Sequence, residues 1–210
     1  MALFKKIKDA LGSPDTQLLT EGVPAWGAIH DVQLGGTQVT IGVDQYRVCT
    51  FQVEVRLDGQ QPYVAVAKQR VHELALARLS GAPVCVRVDP ADPQRIQIDF
   101  DSPAPVVTVP RSADGRGLAD VLARGVPCEV VVVQAGQPMG LRSHEGHDVV
   151  PFQLTVIPEG ATPYEVQVAM PRPAEALPLL YPGSRLPGRR LPEEPNAVVI
   201  DWAAATAEAA

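Results

Sequence analysis

The stretch Phe51-Gln-Val-Glu-Val-Arg-Leu-Asp-Gly-Gln-Gln-Pro-Tyr63 decides the fold. Phe51, Val53, Val55 and Leu57 alternate with Gln52, Glu54 and Arg56, the period-two pattern of a strand with one buried face and one wet face. Asp58-Gly59 supplies turn chemistry, and Tyr63 to Val66 resumes the alternation, so a hairpin is expected. The pattern returns downstream as Phe152-Gln-Leu-Thr-Val-Ile-Pro-Glu-Gly-Ala-Thr-Pro-Tyr164, which keeps the Phe-Gln start and the spaced Gly, Pro and Tyr.

Outward from this hairpin the correspondence continues on both sides. Leu19-Thr-Glu-Gly-Val-Pro24 matches Leu122-Ala-Arg-Gly-Val-Pro127, and Gly81, Arg87, Pro90, Pro93 and Ile98-Asp-Phe100 match Gly183, Arg189, Pro192, Pro195 and Ile200-Asp-Trp202. The spacing drifts by a residue or two between blocks, as it does when loops change length and elements do not. The sequence therefore predicts a tandem repeat. Residues 1–17 form an N-terminal helix and linker, 18–100 the first module, 101–117 a Pro/Gly/Ser-rich linker in which Val106 to Val109 can pair as an edge strand, 118–202 a second, diverged module, and 203–210 an Ala-rich tail.

Within one copy, Ala28–Val32 and Val39–Val43 read as two further strands, and Val71, Leu74, Ala75 and Leu79 give the apolar stripe of a short helix ended by Gly81. Val84, Val86 and Val88, then Ile96, Ile98 and Phe100, restore strand alternation. Short strands with one late helix predict a mainly β chain of two small closed barrels, OB-like or SH3-like, since closure removes exposed sheet edges. Sandwich-like modules are the alternative.

The second copy departs at Leu186-Pro-Gly-Arg-Arg-Leu-Pro192, where Pro and Gly are unsuited to a central strand. The expectation is an edge strand, bulge or loop that leaves an opening in the second barrel, with Arg185, Arg189 and Arg190 beside it as a candidate binding surface.

Gly22-Val-Pro24 with Ile29, together with Gly81-Ala-Pro-Val-Cys-Val-Arg-Val-Asp-Pro-Ala-Asp-Pro93, resembles a small bacterial β-module frequent in actinobacterial proteins, with Ser80 standing where that module usually has Pro. The resemblance implies a fold and carries no activity with it.

Composition narrows the function classes. The net charge of −6 repels a phosphate backbone, and 5% aromatic content is thin for base stacking, so both argue against nucleic acid. Cys49, Cys85 and Cys128 are odd in number and widely spaced, which fits free thiols in a reducing cytoplasm better than a disulfide framework or a cysteine zinc site. No apolar run reaches the length of a membrane span. Ser143-His-Glu-Gly-His-Asp148 holds metal-ligand types but reads as a solvated hairpin tip, and His30 and His72 sit alone, so no metal site, cofactor or catalytic residue is assigned.

Met1-Ala-Leu-Phe-Lys-Lys-Ile-Lys-Asp-Ala-Leu-Gly12 differs from everything after it. Leu3, Phe4, Ile7 and Leu11 form one stripe of an amphipathic helix, with Lys5, Lys6 and Lys8 beside it. Three turns are not stable alone in water, so some surface receives that stripe: a barrel, another protein, or an anionic membrane at its inner face. The expectation is a non-enzymatic cytoplasmic scaffold or adaptor that binds another protein and docks through this helix. A peripheral membrane protein is one alternative, and a small-molecule binder or enzyme using the second module is the other.

Overall fold

The computed structural model describes residues 12–72, 76, 83–110 and 117–208. The chain divides into two compact units, Met1–Val107 and Thr108–Ala210. Each is a mainly β module, described in turn.

In the first unit a short helix, α1 (Thr16–Glu21), is N-capped by Asp15, whose side chain accepts from the Leu18 amide. Five strands follow: β1 (Val23–Ile41), β2 (Asp44–Arg56), β3 (Tyr63–His72), β4 (Val84–Asp89) and β5 (Asp92–Asp99). They form one antiparallel sheet in the order β3-β2-β1-β4-β5, and the sheet curls until its edges β3 and β5 lie alongside each other. This order is that of an OB-like module, a five-stranded and partly open barrel. The core is Ala25, Cys49, Phe51, Val53, Val55, Ala65, Ala67, Val71, Val86, Val88, Ile96 and Ile98, the inward faces of all five strands.

Three expectations change here. Ala28–Val32 and the residues from Val39 belong to one continuous strand, β1, with register shifts between Ile29 and Asp31 and between Leu34 and Gln38. Gly35-Gly36 falls in the second shift, so it opens a bulge and does not turn the chain. Val71 is the buried end of β3 and not the start of a helix. Leu76 is helical, while Leu74, Ala75, Leu79 and Gly81 lie outside the described residues.

The barrel is also not closed by a ladder. Where β3 meets β5, the Gln69 side chain, 3% exposed, takes the place of a paired strand. Its amide nitrogen donates to the Ile98 carbonyl at 3.1 Å, and its Oε1 accepts from the Ile98 amide at 2.9 Å and from Gln97 Nε2 at 2.8 Å. Residues 12 to 15 complete the seam. The Arg70 amide donates to the Gly12 carbonyl at 2.8 Å, and the Asp15 amide donates to Gln97 Oε1 at 3.3 Å.

At the boundary between the units stands β6 (Val107–Thr108). The second unit then runs α2 (Leu118–Arg124), β7 (Val126–Ala135), β8 (Leu141–Arg142), β9 (Asp148–Pro158), β10 (Tyr164–Arg172), a 3-10 turn over Ala174–Leu179, β11 (Arg185–Leu191), β12 (Glu194–Ile200) and α3 (Trp202–Glu208). The sheet path is β12-β11-β7-β9-β8-β6, with β10 on β9. Without β6 and β8, this order is the same as that of the first sheet, so β7, β9, β10, β11 and β12 are the positional equivalents of β1 to β5.

The equivalence explains the Gly-Val-Pro motif. Gly22 ends α1 and its amide donates to the Leu18 carbonyl at 2.8 Å, while Gly125 ends α2 and donates to the Val121 carbonyl, also at 2.8 Å. A Cβ at either glycine would press on that same carbonyl oxygen, so only glycine lets the strand leave the helix this tightly.

The opening expected at Pro187-Gly188 is absent. β11 is continuous, with β7 on one side and β12 on the other. The Pro187 carbonyl accepts from the Asp201 amide at 2.9 Å, so the missing proline donor faces a point where β12 has already ended at Ile200. Gly188 is required by packing: a Cβ there would sit 2.9 Å from Val130 Cγ1. In the first module the sizes are exchanged. Gly27 occupies the position of Val130, Val86 occupies that of Gly188, and a Cβ on Gly27 would strike Val86 Cγ2.

The chain after β12 is helical as far as Glu208. Ala205 on α3 is buried in the second core, Trp202 Nε1 donates to the Pro171 carbonyl at 2.9 Å, and Met170 stands where the first module has Gln69. No helix among the described residues is long and apolar enough to cross a membrane.

Candidate functional site

On the outward face of the second module the strand register sets three glutamines in a row, Gln134 opposite Gln153 and Gln153 opposite Gln167, and a bend in the chain walls them in. β7 shifts register between Val132 and Gln134 and ends at Ala135. The following segment folds back along β9: the Gly136 amide donates to the Pro151 carbonyl at 2.8 Å and the Met139 amide to the Val149 carbonyl at 3.0 Å. Beyond it, the Val109 amide donates to the Arg142 carbonyl at 2.7 Å.

This backfolded segment makes one wall of a groove of about 380 Å³. Pro151 of β9 and its partner Ala169 of β10 form its floor, Gln153 and Gln167 stand beside them, and Gln134 and Met139 make the near wall. Phe152 and Leu154, pointing the other way, are buried and hold the floor rigid. No residue lining the groove carries a charge. At the rim, Gln153 Nε2 donates to Glu165 Oε2 at 3.4 Å.

An amide both donates and accepts, so three glutamines around an apolar floor can satisfy peptide groups or neutral side chains of either polarity. An ion placed there would lose water and gain no counter-charge. The face of an OB-like module formed by its second and third strands, with the loop joining its first two, is where such folds take their ligands, and the groove lies on that face.

The arginines expected to cluster at β11 are separately engaged. Arg185 pairs with Glu129, while Arg189 Nε lies 3.5 Å from Asp201 and its Nη1 donates to the Gly125 carbonyl. The pair Arg189–Asp201 repeats Arg87–Asp99 of the first module, 3.1 Å apart, so it belongs to the framework of each unit. Arg190 alternates to the inner face beside Tyr164 and Cys128. Burial pushes the Cys128 thiol up against the pull of Arg190, and burial likewise raises Cys49 and Cys85, so all three stay protonated thiols.

Glu145 lies between His144 and His147, 3.8 and 3.7 Å away, and Asp148 is drawn to Arg142. Among the described residues no three His, Cys, Asp or Glu side chains converge as metal ligands. His30 faces Glu54, and His72 lies 3.5 Å from Asp44. Leu3, Phe4, Lys5, Lys6, Ile7, Lys8 and Leu11 lie outside the described residues. A smaller crevice of about 120 Å³ flanks α1, and its Arg95 is held by Asp15 and Asp89. The groove itself carries no sequence motif. Its glutamines come from three strands and meet only because of the fold.

No protein-family model matches the chain, and no curated protein matches it. Among solved structures it is similar, at 12% identity and a TM-score of 0.19, to a chain of a replication protein A heterotrimer bound to ssDNA, over 80% of this chain and 43% of that one. At that score the likeness carries no weight beside the strand order already described.

Proposed function

We propose that the chain is a non-enzymatic protein-binding scaffold whose second module holds an extended, uncharged segment of another protein. The observation that carries this reading is the groove on β9 and β10, with its three glutamine amides, its apolar floor and its lack of charge. A nucleic acid would need cations there, and its phosphates would instead meet Glu165 at the rim. The N-terminal stripe Leu3, Phe4, Ile7 and Leu11, with Lys5, Lys6 and Lys8, serves as a second docking element, so residues 1–11 add affinity without choosing the segment bound.

Selection of peptides from a display library on the immobilised full chain, followed by anisotropy titration, tests the reading. Neutral peptides rich in Thr, Gln and Val are expected, with affinity falling at least about tenfold, or about 1.4 kcal/mol, in Ala169→Arg. Recovery of no peptides, or of peptides that bind Ala169→Arg as well as the natural chain, overturns it.

A further inference from the structure

We infer that Glu165 makes this groove select a basic residue, Lys or Arg, directly beside the neutral segment it holds. The inference rests on the groove being a protein-binding site and adds the charge its partner must carry.

The two modules treat the carboxylate on this face differently. In the first, Glu54 of β2 is neutralised within the chain: Arg56 Nε lies 2.6 Å from its Oε1, and His30 Nε2 lies 3.4 Å from its Oε2. The matching positions of the second module hold Thr155, Ile157 and Val133, so the carboxylate and both cations are gone. A carboxylate reappears across the ladder, at Glu165 opposite Thr155, where the first module has the exposed apolar Val64. The fold therefore does not need a charge at this position.

Nothing in the second module neutralises it. The ion pairs there join Arg124 to Asp120, Arg142 to Asp148, Arg185 to Glu129 and Arg189 to Asp201, and among the described residues none includes Glu165. Its hydrogen bond is to the groove itself, from Gln153 Nε2 to Oε2 at 3.4 Å. That bond ties the carboxylate to the row of amides and leaves Oε1 to accept from a ligand.

Placement sets what the carboxylate can read. Glu165 and Gln167 share the outward face of β10, two residues and ~6.6 Å apart, so a cation at Glu165 adjoins the part of the segment held at Gln153 and Gln167. Glu165 is exposed, so the cation keeps water while neutral groups fill the floor at Pro151 and Ala169. The net charge of −6 draws a cationic segment toward the chain, and Glu165 fixes where its charge comes to rest.

Anisotropy titration of the full chain tests this. The probe is the tightest neutral peptide from the display selection, capped at both ends and extended by one Lys, Gln or Glu at either end. At about 0.01 M salt the natural chain should bind the Lys peptide of one end about threefold tighter than the Gln peptide, and the Glu peptide about threefold weaker, as an exposed ion pair allows. Near 1 M salt, where the screening length falls to ~3 Å, these differences should shrink toward nothing. Glu165→Gln should remove the preference and Glu165→Lys should reverse it. Both sit at an exposed strand position and keep the fold. Glu193→Gln, an equal change of net charge in the exposed turn between β11 and β12, should leave the preference intact.

A Lys preference that survives Glu165→Gln belongs to the net charge of the chain and overturns the inference, as does the absence of a preference at either end. In both cases peptides that lose affinity in Ala169→Arg still support the groove. A library that yields no peptide overturns the groove and the inference together.

Discussion

Exchanging sizes between β1 and β4 should show whether Gly27 and Val86 act as one packing unit. Gly27→Ala places a Cβ against Val86 Cγ2 and 3.2 Å from both Val53 Cγ1 and Val84 Cγ2. Overpacking of this kind costs about 1–3 kcal/mol. Val86 is fully buried, so Val86→Ala removes two methyl groups at about 0.8 kcal/mol each and leaves a small cavity, for a cost of about 2 kcal/mol. If the sites were independent, the double variant would lose about 4 kcal/mol. Because the new methyl at 27 enters the space vacated at 86, the double variant should lose only about 2 kcal/mol, a coupling of about 2 kcal/mol. The assay is urea unfolding followed by fluorescence in a Trp202→Phe background, where Trp26, 4% exposed, reports the first module alone. An additive double variant refutes the reasoning, because the collision with Val86 would then not be what excludes a side chain at 27.

Two other perturbations address the first module. Gln69→Met, which copies Met170 of the second module, leaves the Ile98 amide and carbonyl without partners and should cost about 3 kcal/mol; an Ile98 amide that exchanges with solvent as slowly as before would contradict the seam. Burial pushes Asp99 and Asp15 up, but hydrogen bonds from Ser102 and Arg87 to Asp99, and from Arg95 and the Leu18 amide to Asp15, outweigh it and hold both carboxyls below the usual range. Folded values below the unfolded value of about 4 mean the stabilisation is complete above that pH and is lost as pH falls through the folded values, so the urea midpoint of the first module should drop below pH ~4 and drop less in Asp99→Asn.

Strand positions were legible where alternation and turn chemistry agree. Phe51 to Tyr63 reads as the β2–β3 hairpin it is, and the turn glycines Gly59 and Gly160 have φ of 67° and 69°, a region that favours glycine. What the residues concealed lies in partners distant along the chain. Ala28–Val32 and Val39–Val43 read as two strands, yet an antiparallel neighbour can carry one ladder across the bulge between them. Pro187-Gly188 reads as a broken strand because nothing local says that β12 stops at Ile200 or that Val130 fills the space a side chain would need. The groove was invisible for the same reason, since alternation puts Gln134, Gln153 and Gln167 outside one strand at a time and only the register of β7, β9 and β10 sets them side by side, with the backfold beside β9 adding the wall.

The two modules differ most where their first strand hands over to the second, and that difference builds the groove wall. In the first module the β1–β2 ladder resumes past the bulge opposite Val48 and runs to Ile41↔Asp44, with β3 pairing β2 as far as Tyr46. In the second, the shift between Val132 and Gln134 repeats the one between Ile29 and Asp31 of β1, and the difference is that β7 ends at Ala135, with Pro138 and Pro151 each lacking the donor that a continued ladder requires. The chain cannot extend, so it folds down along β9 and builds the groove wall with Met139. One topological position thus yields a continued ladder to Gly42-Val43 in one module and a groove wall in the other. Substituting Gly136-Gln-Pro-Met139 with a ladder-compatible sequence should remove the groove wall and with it peptide binding in the anisotropy titration, whereas shortening the β1–β2 turn at Gly42-Val43 should leave that affinity unchanged; equal loss in both variants, or in neither, would refute the role given to the backfold.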